Sequence, residues 1–415
     1  MSFMDWLKAG VSPLIDLESK AVKSSSADSI LRDLLGQSNS KAGQAVNIRT
    51  ALELTTVLGI ARVISEGIAQ VPWKMFQRGT DGGRREASEH PLFYLLKRRP
   101  NDWQTSFEFR EQIAFHLVLA GNAFVFVNRS LGGEIIELLP YEPGAVTVKR
   151  NDDMSLSYRL RLANGQETPV PALNIWHLRG PSWNGYVGLD AVHLARNAIG
   201  LSLATEEFGS SLFANGARPG GLLTTEQMVS RETAKEIKEA WASAQAGSGN
   251  AMKTALLANG LKYQALSQTA DEAQFNETRR RVINDLCAAF RVNPIMVMQT
   301  EGTSSYASVE QMFLAHLTHT LMPWYERIEQ SAEVNLLTRA EQKAGYYTKL
   351  EAKALMRGTA KDRAEYFAIM RQNGVITANQ WLEAEDMDRS ADPKADELIA
   401  AANLYGPQVA PPTKV

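Results

Sequence analysis

The sequence contains few of the residues that carry most catalytic and metal-binding chemistry. Its 415 residues include a single cysteine, Cys287, and six histidines. One cysteine excludes an internal disulfide and most thiolate metal sites. Neither a Gly-x-x-x-x-Gly-Lys-Ser/Thr phosphate loop nor a Gly-x-Ser-x-Gly nucleophile elbow occurs in the chain. We therefore predict a protein that is not an enzyme and that needs no cofactor or metal.

A large excess of charge and long apolar runs are also missing. The formal net charge is -2, without the basic excess that binds nucleic acid by neutralising phosphates. No stretch approaches the ~20 apolar residues that span a bilayer. The first ten residues, MSFMDWLKAG, lack the basic start and apolar run of a signal peptide. We expect a soluble protein made in the cytosol, with no membrane partner.

The first half of the chain alternates between helical and strand patterns. Apolar residues at three- and four-residue spacing predict a helix over 50–70, and Thr105 with Glu108 forms a capping box for a second helix that ends at Gly121. Several short β-rich runs follow up to residue 180, separated by turn residues such as Asn164-Gly165. One of these runs, SYRLRL, alternates polar and apolar residues, which predicts a strand with one face in solvent. These patterns predict an α+β domain.

The second half is mainly helical. Patterns over 190–214 and 271–290 predict two long helices, and they flank a small insert that contains a helix at 230–245 and a hairpin, TALLA-NG-LKYQAL. A polar segment precedes a long helix from 308 to about 337, which Pro323 should kink. A last pair of helices is predicted at 359–374 and 377–387, and Thr377 with Gln380 forms a capping box at the start of the second.

Sequence pieces along 48–388 resemble the portal protein family of long-tailed bacteriophages, in its Hong Kong 97-like branch. In chain order these pieces are HPLFYLLKRRPN, LAGNAFVFVNR, NIWHLRG, YVGLDAVHLARNAI, LFANGARPGGLL, LLANGLKYQALSQTADEAQF, RRRVINDLCAAFRVNPIMVM, SVEQMFLAHLTHTLMPWYERIE and NGVITANQW. Their order and spacing carry the match, because no single piece is decisive. Val292-Asn293-Pro294 and Leu189-Asp190-Ala191 depart from the common family pattern without breaking an element.

The resemblance implies an α+β portal fold with an α/β wing, paired stem helices, a small α/β clip insert, a long kinked helix and a helical crown. The implied segments are a flexible N-terminal arm at 1–46, the wing at 47–189, stem helices at 190–214 and 271–292, the clip at 215–270, a turn and tunnel loop at 293–307, the kinked wing helix at 308–344, the crown at 345–388 and a disordered tail at 389–415.

The resemblance also implies a function and partners. Such proteins form a homo-oligomeric ring, usually of twelve copies, at one vertex of the virion capsid, after assembly in the host cytoplasm. Double-stranded DNA passes through the ring, which contacts the terminase large subunit, then a head–tail adaptor, and the major capsid protein or a scaffold. The tunnel-loop residues implied here are Thr300, Glu301, Gly302, Thr303, Ser304, Ser305 and Tyr306. The implied docking residues of the clip are Lys238, Glu239 and Trp241.

The most concentrated basic cluster is Arg279-Arg280-Arg281. Three consecutive helical residues point in different directions and cannot form one phosphate-binding stripe. Their helix also carries four acidic residues, which favours ion pairs between subunits. Direct contact with DNA by one of the arginines is the alternative.

Segment 301–345 has an acidic excess. It contains six glutamates, against three basic residues. Such a helix beside a channel is expected to repel phosphate at short range, and this repulsion would keep moving DNA from adhering. The glutamates are Glu301, Glu310, Glu326, Glu329, Glu333 and Glu341.

The remaining reactive residues favour structural roles. His316 and His319 lie three apart on a helix and could share a metal, but surface or interface histidines are the stronger interpretation. Cys287 lies on an apolar helix side, where a packed thiol is expected. The pairs Asp152-Asp153 and Glu383/Glu385 are expected in solvent.

Three other classes of protein fit the sequence less well. Another ring-forming head–tail connector would typically be shorter than this chain. A nuclease or maturation protease would need a catalytic constellation, and the sequence offers none that is convincing. A nonviral scaffold that binds a partner through its helices is the third class, and a ring with a central hole would distinguish the portal from it.

Overall fold

The computed structural model describes residues 40–79, 82–162, 164–214, 221–225, 228–245, 261–265, 272–299, 306–352, 360–385 and 387–399. The chain divides into two compact units, Met1–Leu350 and Glu351–Val415. Among the helices in these ranges, none is both long and apolar enough to cross a membrane.

The first unit begins with two helices in place of the single one predicted. Helices α1 (Ile48–Glu53) and α2 (Thr55–Ala69) are separated at Leu54, whose backbone is extended. The buried face of α2 is centred on Val57, Ile60, Ile64 and Ile68, which leaves Leu58 exposed at its edge. Residues 40–46, predicted as part of a flexible arm, instead contact a later helix, where the Lys41 amide donates to Asn197 Oδ1 at 3.1 Å.

Helices α3 (Pro91–Lys97) and α4 (Ser106–Ala120) follow the strands β1 (Trp73–Arg78) and β2 (Arg84–Glu86). The Thr105/Glu108 capping box and the left-handed Gly121 at the end of α4 are confirmed. Helix α4 packs on α2 through the buried Arg110, whose guanidinium donates two hydrogen bonds to the carbonyl of Ala69. Burial lowers the pKa of Arg110 to about 10.

Six strands then form two antiparallel three-stranded sheets. They are β3 (Asn122–Arg129), β4 (Ile135–Tyr141), β5 (Val146–Arg150), β6 (Leu156–Arg161), β7 (Glu167–Val170) and β8 (Ile175–Arg179). The orders are β4-β3-β8 and β5-β6-β7. The sheets share a core that contains Phe124, Phe126, Tyr158 and Leu160. Arg159 is exposed, which confirms the predicted alternation in β6, whereas β7 was not predicted.

The predicted helix at 190–214 consists of α5 (Ala191–Leu194) and α6 (Arg196–Ala214). The insert contains β9 (Gly221–Thr224), helix α7 (Arg231–Gln245) and β10 (Lys262–Ala265), and β10 pairs antiparallel with β9. The TALLA arm of the predicted hairpin lies outside the described residues. Helix α8 (Glu272–Phe290) follows the insert and corresponds to the helix predicted over 271–290.

The predicted kinked helix is interrupted by a π-helical turn. Helix α9 (Tyr306–His316) leads into the π turn Leu317–Leu321 and then into α10 (Met322–Leu336). Pro323 supplies no backbone donor, and the Met322 amide bonds back to the Leu317 carbonyl, five residues earlier.

The unit ends with α11 (Arg339–Lys343) and β11 (Tyr346–Leu350). Strand β11 pairs antiparallel with β1 across 73–77, so the order of that sheet is β11-β1-β2. The segment predicted to begin the crown at 345 therefore belongs to a sheet of the first unit.

The second unit contains α12 (Ala360–Gln372) and α13 (Ala378–Ala384). The predicted Thr377/Gln380 capping box is confirmed, and Phe367 stacks on Trp381 at 5.8 Å. Residues 389–399, predicted as disordered, are ordered in part by the Asn379 side chain, which accepts from the Ser390 amide at 2.8 Å. Residues 400–415 lie outside the described part.

Candidate functional site

Three glycines join the sheet β4-β3-β8 to the helix α5 through direct backbone contact. Gly121 has a φ of +69°, and a Cβ on Gly188 would lie 1.8 Å from the Gly121 carbonyl oxygen. The Gly180 amide donates to that same oxygen at 2.7 Å. No larger residue fits this close approach. The junction explains why each of the pieces LAGN, LRG and YVGLD contains a glycine.

A buried polar network reinforces the glycine junction. The Asn122 side-chain oxygen accepts from the Gly188 amide at 2.7 Å and lies 3.1 Å from His177 Nε2. Tyr158 Oη lies 3.4 Å from His177 Nδ1, and the imidazole stacks on Phe124 at 4.3 Å. Burial lowers the pKa of His177 to about 3, so the ring is neutral and serves as a structural group.

Helix α5 begins at one of the two departures from the family pattern. The Asp190 side chain accepts from the His193 amide at 2.9 Å and caps the helix. Aspartate is among the preferred residues for this capping role. The departure therefore preserves the start of the helix pair.

Helices α6 and α8 pack together as a pair. Ile199 of α6 is fully buried, as are Val282, Leu286 and Cys287 of α8. Burial raises the pKa of the Cys287 thiol to about 11, which confirms the packed-thiol interpretation.

The opposite side of the first helix is apolar and exposed. Leu201 and Phe208 of α6 are 42% and 50% exposed, and Leu194, seven residues before Leu201, is 42% exposed. Leu201 and Phe208 are seven residues apart within α6, a spacing that places their side chains on the same face of that helix, whereas Leu194 ends the separate helix α5. Leu194 and Phe208 are apolar positions of the predicted helix over 190–214, but the apolar pattern alone does not say which of its faces the subunit covers.

An open apolar cavity of about 370 Å³ lies beside these residues. Leu194, Phe290, Pro323 and Trp324 are among the residues that line it. Arg327 lies at its edge, over the Trp324 ring, and donates to the carbonyls of Arg179 and Gly180. The cavity therefore connects the glycine junction to the helix that follows the π turn.

The arginine cluster is exposed on α8. Arg279 and Arg280 border a polar cavity of about 320 Å³, whereas Arg281 does not. Two of the three side chains therefore share one space, whereas three separate directions were predicted.

Three of the six glutamates that give segment 301–345 its acidic excess are engaged within the subunit. Glu329 is buried and paired with Lys349, and Glu333 accepts from the Thr348 amide at 3.4 Å. Glu341 belongs to a capping box with Thr338 and lies 3.0 Å from His90. Packing of α10 on β11 turns Glu329 and Glu333 toward the protein, whereas Thr338 and His90 hold Glu341. Glu310 and Glu326 are exposed, and Glu301 lies outside the described residues.

Most of the predicted loop lies outside the described residues. These predicted residues are Thr300, Glu301, Gly302, Thr303, Ser304 and Ser305. Tyr306, also predicted in the loop, begins α9 instead. In the insert, Lys238, Glu239 and Trp241 all lie on α7, and Lys238 and Glu239 are exposed.

The histidine pair differs from its prediction. His319 is exposed, but His316 is buried rather than at a surface, and burial lowers its pKa. Neither His316 ring nitrogen has a hydrogen-bond partner in the described part of the chain. The same part contains no cluster of three or more His, Cys, Asp or Glu side chains able to hold a metal. Asp152 and Asp153 are exposed as expected, whereas Glu385 accepts from Arg363.

Comparison with known proteins identifies the family. The model of the family described as phage portal protein matches residues 55–386. This chain belongs to the phage portal protein family. The matched region begins at α2 and includes the glycine junction, the helix pair and the insert.

Two curated relatives carry portal names. The chain is 30% identical over 380 residues to the "Probable portal protein" of Streptomyces phage phiC31, with 88% of this chain and 81% of that protein covered. It is 28% identical over 346 residues to the "Portal protein" of Enterobacteria phage HK97, with 83% and 81% covered.

Solved portal structures share the fold. A portal protein of the HK97 family from Corynebacterium diphtheriae matches with a TM-score of 0.57 and 17% identity, covering 75% of this chain and 98% of that one. A chain of the virion of a native gene transfer agent particle matches with a TM-score of 0.56 and 20% identity, covering 83% and 93%. The predicted fold class, a mixed α and β portal fold, is confirmed.

Proposed function

We propose that copies of this portal family member assemble into a closed ring, which forms a channel for double-stranded DNA at one vertex of the virion capsid. The observations that carry this proposal are the exposed Leu201 and Phe208 on one face of α6 and the open apolar cavity that Leu194 of α5 lines. Large apolar side chains aligned on one helix face mark a surface that a partner covers. Repetition of one such heterologous contact around an axis closes a ring.

Twelve copies are the proposed number. A structure similar to this chain, with a TM-score of 0.53 and 18% identity, is the neck of a native gene transfer agent particle computed with C12 symmetry. That symmetry supports a dodecamer, and the virion origin of a second similar structure supports a location in the virion. Assembly is proposed to occur in the host cytoplasm.

The remaining partners follow the segments of the chain. The insert that holds β9, α7 and β10 is proposed to dock the terminase large subunit during packaging and a head–tail adaptor afterwards. The wing and the second unit are proposed to face the major capsid protein or a scaffold. In this role the chain acts as a structural component, and the proposal assigns it no catalytic step.

The ring is tested by placing charge on the exposed stripe that Leu201 and Phe208 form on α6. Leu201→Glu combined with Phe208→Glu should leave the subunit folded and prevent assembly, because burying two carboxylates at an apolar contact is unfavourable. Light scattering and negative-stain images of the wild-type protein should show rings with a central hole, and the variant should be monomeric.

Leu131→Glu is the matched control. Leu131 is 97% exposed at the turn between β3 and β4, away from the stripe. Rings should form normally with this variant. Assembly of the stripe variant equal to that of the control would refute the interface, and a wild-type protein that stays monomeric at micromolar concentration would refute the ring.

A further inference from the structure

A polar cavity of about 320 Å³ lies where α2, α6 and α8 meet within one subunit. Arg279 and Arg280 of α8 border it, together with Ser202 of α6 and Thr55 and Thr56 at the start of α2. Hydroxyl and guanidinium groups from three helices therefore converge on one space. The cavity does not depend on a neighbouring subunit.

The positive charge of this cavity is not neutralised within the described part of the subunit. No ion pair there includes Arg279 or Arg280. Glu206 is the one acidic residue that borders the cavity. Two guanidinium charges and one carboxylate leave a net charge of about +1 around the space.

The start of α2 borders the same cavity. Its N-cap residue, Leu54, makes no side-chain hydrogen bond, so no side chain caps the first amides of the helix. A helix N-terminus carries roughly half a positive charge. Helix α1 ends one residue before these amides and carries the opposite partial charge there, so the net charge around the space remains about +1.

We propose that this cavity binds a phosphate group, supplied either by the backbone of DNA or by free inorganic phosphate. Free phosphate at pH 7 carries about -1.5 charges and a phosphodiester of the DNA backbone carries about -1, so the net positive charge of the cavity attracts both. Phosphate oxygens can accept from two guanidinium forks and from hydroxyls at once. A single carboxylate from a neighbouring subunit has two oxygens and one charge, and it would satisfy fewer of these donors.

The arginine triplet provides a matched pair of variants. Arg279→Gln combined with Arg280→Gln removes both guanidinium groups from the cavity. Arg281→Gln changes an equally exposed arginine of the same helix that does not border it. Glu206→Gln removes the repelling carboxylate and should have the opposite effect on affinity.

Inorganic phosphate is titrated into the full-length protein by calorimetry at constant ionic strength, with chloride as the balancing ion. We expect the double variant to lose roughly tenfold or more in phosphate affinity, since charge-assisted bonds are strong. Arg281→Gln should change it less than about twofold, and Glu206→Gln should raise it roughly fivefold. Arg279→Lys with Arg280→Lys keeps the charge and should retain part of the binding.

A duplex arm distinguishes the two sources of phosphate. If DNA is the source, duplex competes with phosphate, and the double variant reduces the magnitude of the slope of log affinity against log salt by about 0.9, the value for one phosphate. If free phosphate is the source, duplex does not compete and that slope is unchanged. Both outcomes support a phosphate site.

Two results would overturn the phosphate site. One is the absence of phosphate binding to the wild-type protein, and the other is an equal loss with Arg281→Gln. Dissociation of the oligomer by the double variant without detectable phosphate binding would assign the arginines to an intersubunit carboxylate instead. Ring assembly is scored separately by imaging, so failure of the phosphate site leaves the proposed function standing.

Discussion

Glu329 and Lys349 form an ion pair of 2.7 Å that joins α10 to β11. The Glu329 side chain is buried, and its second oxygen accepts from the Leu350 amide at 2.7 Å. Burial raises the pKa of Glu329, and the two hydrogen bonds oppose that effect. The carboxylate therefore holds a helix on a sheet and does not face solvent.

Reversal of this charge should destabilise the subunit. Glu329→Lys places two cations together in a buried site, and we expect a loss of about 3–5 kcal/mol in the free energy of unfolding. Glu326→Lys, one turn earlier and exposed, should change it by less than about 0.5 kcal/mol. Urea unfolding of both variants gives the comparison, and equal effects would show that the buried pair carries no stability.

The glycine junction should not tolerate a methyl group. Gly188→Ala would place a Cβ 1.8 Å from the Gly121 carbonyl oxygen, so the backbone must move. We expect a loss of about 3 kcal/mol or more, or failure to fold. Gly144→Ala is the control, because its Cβ meets nothing within 4 Å. A thermal midpoint of Gly188→Ala near that of the control would contradict the close approach.

Stability should fall as the pH falls from about 6.5 toward 4. Burial lowers the pKa of His177 to about 3 and that of His116 to about 4, from an ordinary value of 6.5. The unfolded chain binds these protons first, so acid favours unfolding by up to about 1.4 kcal/mol per pH unit for each histidine.

His116→Phe tests the contribution of one ring to this acid sensitivity. His116 Nδ1 has no hydrogen-bond partner in the described part of the chain, so replacing the ring breaks no hydrogen bond at that atom. We expect the variant to be more stable than wild type by about 1–2 kcal/mol at pH 4.5, with a smaller difference at pH 7.5. If the urea midpoints of the two proteins change in parallel between the two pH values, His116 does not contribute to the acid sensitivity.

The helix α7 of the insert should serve a partner and not the core. Lys238→Glu combined with Glu239→Lys changes two exposed residues and keeps the net charge. We expect unchanged ring assembly and weaker binding of the terminase large subunit, by roughly tenfold if these charges contact it directly. Glu134→Lys, exposed at the β3–β4 turn, is the control. Equal terminase affinity for wild type and both variants would count against docking through α7.

Local sequence patterns predicted the elements whose cause is local. The Thr105/Glu108 and Thr377/Gln380 capping boxes, the left-handed Gly121 and the alternation in β6 depend on residues within a few positions of one another. The capping boxes follow from backbone donors close by in the chain, and the alternation follows from the two-residue period of side chains along a strand. The order of these elements over 48–388 was also sufficient to identify the family.

Tertiary contacts decided the rest, because they join residues that are distant in the chain. Pairing of β11 with β1 spans more than 250 residues and places 346–350 in the first unit. That pairing provides the surface on which α10 packs, and it buries Glu329, which charge counting placed in solvent. Likewise, contact between α6 and α8 determines that Ile199 is covered and that Leu201 and Phe208 remain exposed. The apolar period specifies that a helix has a buried side, but only packing selects which residues are covered.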